Sequence, residues 1–164
     1  MAHILDVNGD AIAHLGDADL RTVVARLALA ELAAQGMPLS FVTAGGDQDA
    51  ADGGLDVRVE CPVNFPAPDF VPRQTTGFQV KKPDISASAI EDEMRPKGAL
   101  RPSIAALAEA SGAYIIISAQ GSVADKPLRK RRSAIRHALR DDANAGQLLT
   151  DFYDRTRLAT WVNR

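Results

Sequence analysis

Asp56, Gln79 and Lys81 are the residues of this chain best suited, by type and spacing, to do chemistry together. Asp56 closes the run Asp52-Gly53-Gly54-Leu55-Asp56, a glycine turn that carries one acid and delivers a second into a predicted strand, Leu55 to Glu60. Further along, Gly77-Phe78-Gln79-Val80-Lys81-Lys82 reads as another strand. Side chains alternate across a strand, so Gln79 and Lys81 share one face while Phe78 and Val80 share the other. On the earlier strand Asp56, Arg58 and Glu60 oppose Leu55, Val57 and Val59. Pairing of the two strands would gather a carboxylate, a carboxamide and an ammonium at one edge of a sheet, groups suited to phosphodiester chemistry. The plainer alternative is a hairpin with a Gly-Gly turn and a solvated polar face.

The pattern Asp-Gly-Gly-x-Asp followed by Gln-x-Lys resembles the PD-(D/E)xK nuclease superfamily, and within it the Mrr-like restriction endonucleases, many of which carry glutamine in place of the second acid. The resemblance implies that Asp56 binds a divalent metal, Mg2+ or Mn2+, and that Gln79 adds a ligand through its side-chain oxygen. Hard oxygen donors suit those ions. Lys81 would orient or activate the attacking water and stabilise the developing charge. The resemblance spans roughly Asp19 to Asn163, with specific motifs only at 52–58 and 77–82. The run Asp151-Phe152-Tyr153-Asp154-Arg155 also looks like nuclease-like domains fused at the N-terminus of large bacterial NTPases. Those likenesses imply an α/β fold with a mixed central sheet flanked by helices, a restriction-endonuclease-like core. They also imply DNA as partner and a role in bacterial defence, with a fused NTPase or sensor region in a longer protein.

The elements that must position this site are legible in part. Residues 1–18 carry little pattern and read as irregular, leaving 19–164 as the nuclease-like domain. A helix is predicted from Asp19 to about Gln35, with Glu31 in the same stripe as Leu20, Val24 and Leu27. A carboxylate on a core-facing stripe needs a partner or a metal. Glu31 is therefore either the helix acid that the resembled family aims at its site or an acid at the edge of the surface. Many Mrr-like sequences place that acid nearer the helix start, where this chain has Arg21. A strand follows at Ser40–Thr43, then an acid-rich loop with Asp47, Gln48, Asp49 and Asp52, the last as turn residue or auxiliary acid. Residues 61–76 hold four prolines and read as an extended connection, with Phe65 and Phe70 as anchors. A polar helix-like run, Ser86–Met94, carries Glu91, Asp92 and Glu93. Pro102 opens a helix running to Ser111-Gly112, and the wholly apolar Ala113–Ser118 is a strand buried on both faces.

A basic helix runs from about Asp125 to Arg140. Arg129, Arg132, Arg136 and Arg140 fall on one side of it, fit either for phosphate contacts or for a solvated face, the first three as candidate nucleic-acid contacts. Arg58 and Lys82 join them as candidate nucleic-acid contacts. A short strand at Gln147–Thr150 and a helix at Arg155–Asn163 close the chain, which stops within that helix as a domain cut from something longer would.

Size and charge bound the rest. One domain of 164 residues with 46% hydrophobic and 24% charged content is expected to be globular and soluble. No apolar run is long enough to span a membrane, no secretion signal is visible, and the single Cys61 fits a reducing cytoplasm. Residues 1–72 hold 11 acids against 3 bases, and residues 73–164 hold 10 against 16. An acidic part beside a basic part suits a metal site facing a phosphate-binding surface. There is no phosphate-binding Gly-x-x-x-x-Gly-Lys loop and no dinucleotide fingerprint. No serine or cysteine nucleophile is matched to a histidine, and His3, His14 and His137 lie outside the motif region. The expected function is a Mg2+-dependent endonuclease, as a dimer or higher oligomer if it cuts both strands. The alternative is a nuclease-fold module that binds nucleic acid or a partner protein without cutting.

Overall fold

The computed structural model describes residues 6–45, 54–62, 64–121 and 123–164. Among them the chain is α/β, with a five-stranded mixed sheet between two layers of helices. Strands β1 (Val42–Ala44), β2 (Val57–Glu60), β3 (Thr75–Lys81), β4 (Ala113–Ser118) and β5 (Leu149–Tyr153) lie side by side in chain order. The pairs β1–β2 and β2–β3 are antiparallel, and β3–β4 and β4–β5 are parallel.

The helices sort by the face they cover. Helices α1 (Gly9–Ala13), α2 (Asp17–Ala34) and α6 (Arg155–Val162) pack with Val57, Val59, Phe78, Val80, Ile115 and Ile117. Helices α3 (Ala87–Met94), α4 (Pro102–Glu109) and α5 (Asp125–Ala138) pack with Tyr114, Ile116 and Phe152 on the opposite face. This accounts for the unbroken apolar run of β4: alternate residues feed two different cores, and all six are buried. Phe65 and Phe70 are buried in the first core, as anchors of the proline-rich connection.

Several boundaries differ from expectation. The N-terminal segment is not wholly irregular, because Asn8 caps α1 through Ala11 N–H and Ile12 is buried. Helix α2 starts at Asp17 with Gly16 as its cap, not at Asp19. Leu39–Phe41 forms a 3₁₀ turn before β1. Ala145–Gln147 forms another, so β5 starts later and runs to Tyr153, where Phe152 and Tyr153 enter different cores. Leu55 precedes β2 and packs in the second core rather than beside Val57. Gly77 lets it approach, since a Cβ there would sit 2.7 Å from both Leu55 and Leu107. No helix of the described residues is long and apolar enough to cross a membrane.

Candidate active site

The register of β2 against β3 creates the site. Val57 faces Phe78, so residues 79–81 of β3 project past the first residue of β2. Asp56, just before β2, continues the ladder in two ways. Its N–H donates to the Phe78 carbonyl at 2.8 Å, and its Oδ2 accepts the Val80 N–H at 2.7 Å. A carboxylate thus occupies the place of the next strand residue. Burial pushes the Asp56 pKa up, while the Val80 hydrogen bond and the nearby Arg21 pull it down without cancelling the rise.

Gln79 and Lys81 follow on the face shared with Tyr114 and Ile116. Lys81 Nζ lies 3.1 Å from Glu93 Oε1. Gln79 is buried, 1% exposed, with both ends of its amide engaged. Its Nε2 donates to Glu93 Oε1 at 2.5 Å, and its Oε1 accepts from the Tyr114 hydroxyl. Burial holds the Tyr114 phenol well above its ordinary pKa, so it stays a protonated donor. The Gln79 oxygen, expected from the resemblance as a metal ligand, accepts here from Tyr114, inside the second core.

Glu93 is the acid that sequence reasoning passed over. It was one of three acids in a polar run, yet it lies three residues from Ile90 and one from Met94, both fully buried. That spacing could have placed it on the inward side of α3. Arg101 clamps it, with Nη2 3.2 Å from Glu93 Oε1 and Nε donating to the Glu93 carbonyl at 2.7 Å. Gly54 makes room for the clamp. Its φ is +118°, and a Cβ would lie 2.7 Å from Arg101 Cδ. Gly54→Ala is expected to cost about 1–3 kcal/mol in backbone strain, read as a lower urea midpoint; an unchanged midpoint would show that residue 54 does not hold this positive φ.

Helix α2 contributes from its first turns. Arg21 Nη1 is 3.6 Å from Asp56 Oδ1, and Arg21 also pairs with Asp17 one turn earlier. Glu31 does not join them. It is buried ten residues on, roughly 15 Å along the helix axis, where Trp161 Nε1 donates to its Oε1 at 2.9 Å and Arg164 lies 3.7 Å away. Its buried charge is answered by an indole and a guanidinium.

Asp56, Gln79, Lys81, Glu93, Arg21 and Arg101 line one open cleft with Asp17, Arg26 and Arg58. Among the described residues that line it, five cations against three acids favour an anionic ligand. Of the expected nucleic-acid contacts only Arg58 lines this cleft, and it also pairs with Glu60 at 2.8 Å. Lys82 is half-buried just outside. Arg129 pairs with Asp125 on the exposed side of α5, Arg136 is exposed, and Arg132 turns to Asp151 at 2.7 Å. Arg131, between them, is buried and chelates Asp84. Within the expected row Arg129 and Arg136 are thus exposed and Arg132 is engaged with Asp151, while Arg131 lies on the buried side of α5. Cys61 is half-buried, its thiol pushed up by burial, and lies outside the cleft lining. Asp47, Gln48, Asp49, Asp52 and Gly53 lie outside the described residues, as do His3 and Ser122.

The oxygen donors present suit a hard divalent ion. Mg2+ is commonly held by one or two carboxylates, with water and substrate phosphate completing the shell. Asp56 and Glu93 supply two carboxylates to one cleft. Among the described residues no group of three His, Cys, Asp or Glu converges as a closed metal cage. Compared with known proteins, the chain matches no family model, no curated protein and no solved structure.

Proposed function

We propose that this domain is a metal-dependent endonuclease that hydrolyses DNA phosphodiester bonds, in the manner of the restriction enzymes whose motif it resembles. The observation that carries this reading is the convergence of Asp56 with the Gln79–Lys81 pair at one cleft, beside a second acid, Glu93. Asp56 and Glu93 are the residues that would hold Mg2+ or Mn2+. When bound, such an ion lowers the pKa of a water and offsets phosphate charge. Lys81 presents an ammonium to the negative charge that grows on the phosphoryl oxygens. Arg21 and Arg101 flank the acids and draw the backbone phosphate into the cleft. Cutting both strands of a duplex would require two such sites, and hence a dimer or a higher oligomer.

One observation favours a second reading. Glu93 is already charge-paired with Lys81 and Arg101, and cations outnumber acids among the described residues of the cleft. A cleft so arranged could hold phosphates without cutting them, as a nucleic-acid-binding module.

Supercoiled plasmid incubated with the domain and Mg2+ or Mn2+ separates the two. The parent is expected to nick or linearise it, with activity lost on chelation and in Asp56→Ala and Lys81→Ala. Glu31→Gln, away from the cleft, is expected to cut like the parent. Equal cutting by parent, Asp56→Ala and Lys81→Ala would sink the site. A gel shift with no cutting under any condition would favour the binding module.

A further inference from the structure

Tyr114, Gln79 and Glu93 form a chain of hydrogen bonds whose direction is fixed at one end. That end is Glu93: a carboxylate paired with Lys81 and Arg101 can only accept, so the Gln79 amide must present its Nε2 there and turn its oxygen to the Tyr114 hydroxyl, which donates. The reverse orientation would set a carbonyl oxygen against a carboxylate oxygen at hydrogen-bond distance. A glutamate at 79 would place two carboxylates together in a buried site, where like charges are costly. Glutamine is thus the residue that the position demands, for a reason other than ligation.

The chain ends on Lys81. Glu93 Oε1 collects three donors, Gln79 Nε2 at 2.5 Å, Lys81 Nζ at 3.1 Å and Arg101 Nη2 at 3.2 Å. A lysine carries its charge on a flexible four-carbon stem with three rotatable donors. A carboxylate fixed from two other sides gives that stem one direction. We infer that Glu93 is a positioning residue for Lys81, oriented by the Tyr114–Gln79 pair and clamped by Arg101, so that the ammonium is aimed before any substrate arrives. Its consequence for catalysis rests on the nuclease reading; the aiming itself does not.

The full chain, treated with limiting acetic anhydride and read by mass spectrometry, reports the reactivity of each lysine. Lys81 is 32% exposed and so open to the reagent, with Lys82 and Lys97 as internal references. In the parent Lys81 should label slowly. Glu93→Gln should raise its rate roughly tenfold relative to the references, the worth of one charge-assisted hydrogen bond. Tyr114→Phe, which removes a hydroxyl bonded to Gln79, should raise it severalfold while a thermal melt shows the fold intact. With plasmid, Tyr114→Phe, which leaves both proposed metal-holding carboxylates in place, should lower kcat and leave KM for DNA unchanged. Lys81 labelling that is the same in the parent and both variants would overturn the inference. A parent that does not cut would remove the nuclease reading, and the labelling would still decide whether Glu93 holds Lys81.

Discussion

Asp56→Asn is expected to leave the domain folded, to raise its melting temperature at neutral pH, and to reduce metal-dependent cleavage by on the order of a thousandfold. The loss of activity follows from removing several kcal/mol of charge-based stabilisation, each ~1.4 kcal/mol being tenfold in rate. Asparagine is a cleaner test than alanine because Asp56 Oδ2 accepts the Val80 N–H. Alanine would leave that donor unsatisfied at about 1–3 kcal/mol, whereas the asparagine oxygen can still accept it. The gain in stability follows from the direction of the pKa shift, which is upward and caused first by burial. The folded carboxyl holds its proton to higher pH than the unfolded chain does. Parent stability therefore falls as pH rises from the ordinary carboxylate range through the raised value, and the whole penalty is present above it. Melts of parent and Asp56→Asn from about pH 4 to about pH 8 should diverge as pH rises. A lower melting temperature for Asp56→Asn at neutral pH would mean that attraction to Arg21 outweighs burial.

Trp161→Ala should produce the largest loss of stability of any single change discussed here, about 3–5 kcal/mol. Trp161 is 2% exposed, stacked on Phe70 with centroids 5.2 Å apart and tilted against Phe78 at 5.6 Å. It also donates to the buried Glu31, which the substitution would leave with Arg164 alone. Against a total stability of roughly 5–15 kcal/mol, such a loss should lower the melting temperature by about 10–15 °C for a domain of this size. Trp161→Phe keeps most of the ring packing and removes only the N–H. The difference between the parent and Trp161→Phe in urea unfolding therefore reads chiefly the Glu31 hydrogen bond, and the difference between the two variants reads the ring packing. A loss below ~1 kcal/mol for Trp161→Ala would show that the aromatic stack does not bind α6 to the sheet.

The sequence made some parts of this architecture plain and hid others, for reasons that differ by residue. Strand β4 could be read because a strand covered on both faces has no reason to alternate, and Ala113–Ser118 does not. Helix α5 could be bounded from Asp125 because its charged and apolar positions keep a helical period. Periodicity cannot supply the partners of its arginines, Asp84 for Arg131 and Asp151 for Arg132, both from outside the helix. Helix α1 leaves no periodic signal in the sequence because five residues are too few to form a stable helix unaided. It is secured by the Asn8 cap and the burial of Ile12. Glu91 and Glu93 look alike in sequence, and only the fold separates them. Glu91 faces Arg140, which holds its carboxyl below the usual range, whereas Glu93 turns to Gln79 and Lys81. Glu31 was placed correctly on the buried stripe of α2. Its partner, Trp161, lies 130 residues away, a pairing that no local pattern could supply.

The indole that seals α6 against the sheet is also the only tryptophan in the chain. Its emission therefore comes from one place, a dry aromatic stack against Phe78, the residue beside Gln79 on β3. Excited near the red edge of its absorption, it reports without any label whether that stack is closed. A shift of its spectrum to longer wavelength would mark water reaching the inner face of the strand that carries the cleft. Unfolding, and any loosening of β3 when the cleft takes up a cation or a nucleic acid, can thus be followed by light from a single native residue.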